Sequence, residues 1–238
     1  MLERRRVDAQ PAFVLHSYPH RETSLILDVF SRDFGRVSLM ARGARRPRSA
    51  LRGVLMAFQP LEIAWAGSGE VMTLMKAEWQ GGLPLLTDKA LFVAYYYNEL
   101  LIHLLPREDA HERLYAAYFQ ALYSLSEGLV EGHIRSFEKF LLQELGYGLT
   151  LEMDIYGCPI LYDQLYQYQP EKGAVPIHNI DFVTCPILGK SLLDFSQDDF
   201  SDSITAQQIK QLMRQLLHYH LGGRLLTTRK IFQELQDL

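Results

Sequence analysis

Between Asp33 and Glu62 the chain carries no acidic residue, and into that gap fall Arg36, Arg42, Arg45, Arg46, Arg48 and Arg52. Guanidinium groups present paired N–H donors that match phosphate oxygens, so such a run suits a polyanionic backbone. The same run also reads as a solvated loop that keeps the protein soluble. Contrast with the rest of the chain bears on the choice. Residues 1–55 hold eleven arginines and no lysine against five acids, and the remainder holds 13 basic residues against 23 acids, for a net charge of −4. A basic head on an acidic body points to a polyanion partner at one end only.

Other residues with chemical potential form no catalytic constellation. Gly189-Lys190-Ser191 ends like a phosphate-binding loop, but Thr184 stands where the first glycine belongs and Pro186 interrupts the loop. Neither a GxSxG elbow nor an HExxH helix occurs. His218 and His220 are two apart on a helical stretch, so they cannot share a metal. His16 and His20, near Pro19, read as ordinary edge residues, and Asp198, Asp199 and Asp202 as charges at the start of a helix. The tetrapeptide CPIL occurs twice, placing Cys158 and Cys185. Two thiols do not complete a tetrahedral zinc site, and they read as small buried hydrophobes rather than a metal or disulfide pair. Arg135 and Lys139, four apart on one edge of an apolar helical face, suit an acidic peptide or simply complete an amphipathic helix. Arg224, Arg229 and Lys230 form a second basic cluster, with helix-end charge as the alternative.

The elements that must position these residues change type near residue 80. Alternation predicts strands at Ala12–Ser17, Ser24–Ser31, Arg36–Arg42, Pro60–Ala66 and Glu70–Trp79, with turns at 31–35 and Gly67-Ser68-Gly69. On the third strand Val37, Leu39 and Ala41 share one face and Arg36, Ser38, Met40 and Arg42 the other. Five antiparallel strands in so short a stretch fit a small OB-like barrel, a natural host for single strands. Helical spacing then predicts helices from Thr87 or Asp88 to Leu105, over Asp109–Ser126 and over Glu131–Leu145. A long helix carries Ile209, Leu212, Met213, Leu216, Leu217 and His220, and a short one follows Thr227-Thr228. Residues 148–203, with Pro159, Pro170, Pro176 and Pro186, read as turns and short strands. The expected organisation is therefore multi-domain, β then α: an OB-fold DNA-binding domain over 1–80 and a helical domain over 81–238. No signal peptide or membrane-length apolar run is apparent, so a cytoplasmic protein is expected.

Several segments together resemble one family. AFVLHS followed by ETSLILDVFSRDFGRV and ARGAR, then Tyr97-Asn98-Glu99-Leu100-Leu101, LGYG at 145–148 and LGGRLLTTRKIF at 221–232, are similar in order and spacing to RecO, the bacterial recombination mediators. The resemblance implies an N-terminal OB-fold, a helical C-terminal domain and DNA repair through the RecF pathway, at the nucleoid. It implies binding of single- and double-stranded DNA, strand annealing, and contact with the C-terminal tail of single-stranded DNA-binding protein. With RecR, such proteins help RecA onto coated strands. Many members carry a zinc site of two cysteine pairs after LGYG; here Asp154 and Gly157 stand near the expected pair, Cys158 is isolated and no thiol lies close to Gly173. Neither structural zinc nor another cofactor is expected. Arg36, Arg42, Arg45, Arg46, Arg48 and Arg52 are the expected phosphate contacts, with Arg224, Arg229 and Lys230 as further ones and Arg135 and Lys139 for the acidic tail. Rival readings are a protein adaptor whose barrel grips RNA or a protein, and a nuclease, which lacks a carboxylate or histidine cluster.

Overall fold

A computed structural model describes residues 5–177 and 185–236. Five strands, β1 (Arg5–His20), β2 (Ser24–Ser31), β3 (Gly35–Ala41), β4 (Leu61–Gly67) and β5 (Val71–Trp79), close into a barrel in the order β1-β2-β3-β5-β4. A ring of five strands cannot alternate direction throughout, so one neighbouring pair must run parallel. That pair is β3–β5, in register from Ser38↔Val71 to Met40↔Thr73, which corrects the expectation of antiparallel strands throughout. β1 starts earlier than alternation suggests. Register shifts between Val7 and Gln10, and between Val14 and His16, disrupt the period-two pattern. Such bulges bend the strand so that its first half pairs with β4 and its second with β2. The barrel is filled by Val14, Leu27, Val29, Val37, Leu39, Ile63 and Trp65, among others.

The helices divide between two compact units. One comprises Met1–Leu129 and Leu226–Leu238, the other Val130–Leu225. The first unit therefore contains more than the barrel. It includes α1 (Asp88–Leu104), which stops before Pro106, α2 (Glu112–Glu127) and α6 (Thr227–Gln236). The cause is visible on the barrel wall, where Phe13 and Phe30 point outward yet are wholly buried. Phe13 lies 5.3 Å from Tyr115 and 5.0 Å from Tyr118 between ring centroids, and Phe30 5.5 Å from Tyr115. Burying each such ring contributes about 1.5–3 kcal/mol, a gain the barrel alone does not make.

Two consecutive residues of α1 fasten this unit. Asn98 donates from its amide nitrogen to the Leu15 carbonyl of β1 at 2.8 Å and accepts from the Tyr118 hydroxyl of α2. Glu99 accepts from the Thr227 and Thr228 backbone N–H groups at 2.6 and 2.9 Å, and from the Thr228 hydroxyl at 2.6 Å. A carboxylate there satisfies donors that a helix start leaves without intrahelical partners. Burial works against the charged form, but the hydrogen bonds from Thr228 and Thr227 prevail and hold the Glu99 carboxyl below its ordinary pKa.

The second unit holds α3 (Glu131–Glu144), a sheet β7-β6-β8 made of β6 (Leu165–Gln169), β7 (Gly173–Pro176) and β8 (Ile187–Leu188), then α4 (Gly189–Ser196) and α5 (Ser203–His220). The short strands agree with the reading of 148–203; α4 corrects it, a helix standing where the prolines suggested only turns and short strands. Gly189 is required there by packing. A Cβ at that position would overlap the Leu161 carbonyl, while Leu192 and Phe195 are fully buried. Lys190 is bound to Asp194 at 2.5 Å and Asp202 at 2.6 Å, which raises its pKa, and Ser191 donates to Gln208. Thr184 lies outside the described residues, as does the rest of 178–184.

Candidate nucleic-acid interface

The arginine run leaves β3 at Ala41 and turns at Gly43, whose φ of 68° is a conformation glycine adopts without strain. The Arg45 N–H donates to the Thr23 carbonyl at 2.8 Å and its guanidinium donates to the Arg21 carbonyl at 3.2 Å, tying the loop to the β1–β2 turn. Successive turns follow, with Arg46 N–H to Gly43 and Ser49 N–H to Arg46. Ala44 is buried in the barrel core, and Leu51, Val54 and Leu55 pack against it. The apolar residues of this segment therefore plug the barrel end, and Arg42, Arg45, Arg46, Arg48 and Arg52 are all exposed. Among the described residues, none of these five forms an ion pair. Bare like charges held together repel one another, and a polyanion relieves that repulsion while releasing its own counterions.

Arg36 departs from this group. Its guanidinium is half-buried and donates to the Ile102 carbonyl of α1. Burial lowers its pKa, opposed by Asp28 and Tyr18 and reinforced by Arg107. It holds the α1 end to β3. The neighbouring backbone fits as closely. The Glu108 N–H donates to the Arg36 carbonyl at 3.0 Å, and a Cβ at Gly35 would collide with the Asp109 carbonyl.

The partner-binding pair is also engaged. Arg135 donates to both oxygens of the fully buried Glu138, at 2.7 and 2.6 Å. Lys139 donates to the Phe195 carbonyl at 2.8 Å, pairs with Asp198 at 2.9 Å and sits 4.8 Å over the Phe195 ring. Both side chains therefore brace the second unit. Arg224, Arg229 and Lys230 are exposed, but Arg224 belongs to the second unit and the other two to the first. Cys158 and Cys185 are free and exposed, contrary to the expectation of burial. Cys158 lies in a turn that Asp154 organises, accepting from the Tyr156 and Cys158 N–H groups at 2.8 and 2.9 Å. Among the described residues no group of three or more His, Cys, Asp or Glu could hold a metal ion. Asp202 caps α5, as its position suggested.

The outer barrel wall carries residues that the sequence reading passed over. Two rows cross the wall by register, His16↔Asp28↔Ser38↔Val71 and Tyr18↔Ile26↔Met40↔Thr73. Leu27, Leu39 and their neighbours fill the core, so these rows face outward. His16 and Tyr18 are exposed, with ring centroids 4.4 Å apart. Below them Arg107, half exposed, donates to the Ser38 hydroxyl and stands 3.6 Å from Asp28. Ring-bearing residues at three alternate positions, His16, Tyr18 and His20, were the available signal. Read singly, the histidines carry none.

A closed β1-β2-β3-β5-β4 barrel with an arginine-rich exit loop defines an OB-type module joined to a helical body. The family model described as recombination protein O N terminal matches residues 7–82, and that for its C terminal matches residues 89–229. The chain is 62% identical over 239 aligned positions to the DNA repair protein RecO of Dechloromonas aromatica (strain RCB), covering 99% of both chains. It is 52% identical to that of Aromatoleum aromaticum, covering 100% of both, and 49% identical to that of Ralstonia nicotianae, covering 98% of this chain and 86% of the relative. The chain belongs to the RecO family. Among the described residues, no helix is long and apolar enough to cross a membrane.

Proposed function

We propose that this chain is a non-enzymatic, DNA-binding mediator of recombinational repair, acting at the nucleoid. The observation that carries the reading is the set of five exposed arginines, Arg42, Arg45, Arg46, Arg48 and Arg52, held on a barrel-end loop without carboxylate partners. Relatives named DNA repair proteins over the full length support the same direction. Phosphate contacts fix position without reading sequence, so binding is broad and salt-sensitive. Annealing follows from charge. One cationic surface screens two repelling strands, and duplex formation supplies the free energy without ATP. The acidic body then serves protein partners: RecR, the acidic tail of single-stranded DNA-binding protein and, functionally, RecA. Arg135 and Lys139 join in only by exchanging their present intramolecular contacts.

Salt-titrated binding to single-stranded DNA, duplex DNA, RNA and heparin, followed by annealing of fluorescent complementary oligonucleotides with and without single-stranded DNA-binding protein, tests the reading. Accelerated annealing of coated strands is the expected result. Failure to anneal, with binding to heparin as tight as to DNA, would leave only a general polyanion surface.

A further inference from the structure

We propose that the outer wall formed by Tyr18, His16, Ile26 and Met40 is a stacking site for unpaired nucleobases, giving the barrel a contact with single strands that a duplex does not share. The proposal rests on the DNA-binding reading above and adds to it a surface that recognises bases rather than phosphates.

The geometry has three parts. Tyr18 is 44% exposed and stands beside His16, so two rings lie open on a strand face that is otherwise filled by short or aliphatic side chains. Ile26 and Met40, the cross-strand neighbours of Tyr18, are half-buried and supply an apolar floor. Cations lie at both ends of the face. Arg42 is exposed on the turn that follows β3, two residues beyond Met40, and Arg107 lies against Ser38 at the other end. From Ser38 to the end of β3 at Ala41 is about 10 Å of strand, at roughly 3.3 Å per residue.

A single strand presents the same alternation: a flexible anionic backbone with flat apolar bases swung off it. Arginines at the ends take phosphates while rings between them take base faces. The acid on this wall, Asp28, does not oppose this, because it is buried and has Arg107 as its cation. In a duplex the base faces are stacked on one another and unavailable. Stacking also leaves the pairing edges of a held base free, so a strand bound here remains competent to meet its complement.

The test compares an oligothymidylate, an abasic oligonucleotide of equal length and charge, and a duplex, all fluorescein-labelled, against the full-length chain. The wild type is expected to prefer the oligothymidylate to the abasic strand by about tenfold, the worth of one stacked base. Tyr18→Ala removes that preference and leaves duplex affinity and the salt dependence unchanged, whereas Tyr18→Phe retains it. His16→Ala gives a smaller loss of the same kind. Equal weakening on all three probes would show a general disturbance of the barrel and overturn the proposal, as would full retention of base preference in Tyr18→Ala. Unchanged binding of every probe would instead leave the face to a protein partner, which also overturns it. The broader reading fails separately, if removing the loop arginines leaves all binding intact.

Discussion

The cations of the barrel loop and those of the second unit are the same chemical groups under opposite conditions. Arg42, Arg45, Arg46, Arg48 and Arg52 stand in a segment devoid of acids and are exposed. In the second unit Arg135 has Glu138 at 2.6 Å, Lys139 has Asp198 at 2.9 Å, and Lys190 has Asp194 and Asp202. A paired and desolvated cation holds a fold together, because removing it leaves its partner's charge in a poor solvent. An exposed cation without a carboxylate partner contributes little to the fold and keeps its field for a ligand. Clustered charge thus stays unneutralised here only where acids are missing from the surroundings as well as from the run.

Four measurements sharpen or break this comparison, beginning with the largest effect. Arg135→Ala should lower stability by about 3 kcal/mol, since the fully buried Glu138 loses its guanidinium, with DNA affinity unchanged. Urea unfolding reads this, and a loss below about 1 kcal/mol would put the pair with ordinary surface bridges. Replacing Arg45, Arg46 and Arg48 together by Ala should do the converse. Stability stays within about 0.5 kcal/mol. Single-strand affinity at low salt falls by about a hundredfold, and the slope of log K against log salt shrinks by about 2. An unaltered slope would remove the loop from the interface.

The fastening of the barrel to its own helices comes next. Asn98→Ala deprives the Leu15 carbonyl and the Tyr118 hydroxyl of their partner and should cost about 2 kcal/mol, visible as a lower unfolding midpoint. Tolerance of this change would mean that the aromatic cluster alone holds α1 and α2. The smallest effect concerns Glu99. Its carboxyl pKa is depressed in the fold, so the stabilisation is present above the unfolded-state value and is lost as pH falls through the folded one. Amide exchange at Thr227 and Thr228, corrected for intrinsic rates, should lose protection in that acid range. Glu99→Gln should remove the dependence.

Much of the architecture was legible because local chemistry decides it. β2 occupies the stretch whose alternation and flanking turns required it, and α3 and α5 bury the apolar residues that their spacing aligned. The barrel's closing pair was also within reach, since five strands in a ring force one parallel contact. Other features depended on partners distant in sequence. Alternation alone puts Arg36 on the outside of β3, beside Arg42; it is α1, more than sixty residues away, that covers it. Asn98 and Glu99 are recognisable as a motif, yet only packing reveals that one binds the barrel and the other the start of α6. The two cysteines fit small buried positions by type, but the Asp154 turn exposes Cys158.

The sequence by itself determined where positive charge is concentrated and where strands give way to helices. These follow from residue type and period, which act over a few neighbours. Only the tertiary structure decided which cations are neutralised and which stay bare, and that the rings of His16 and Tyr18 remain open while those of Phe13 and Phe30 are buried. The physical reason is that desolvation and ion pairing depend on what is brought alongside a group in space, and a residue's chemical type does not specify its surroundings.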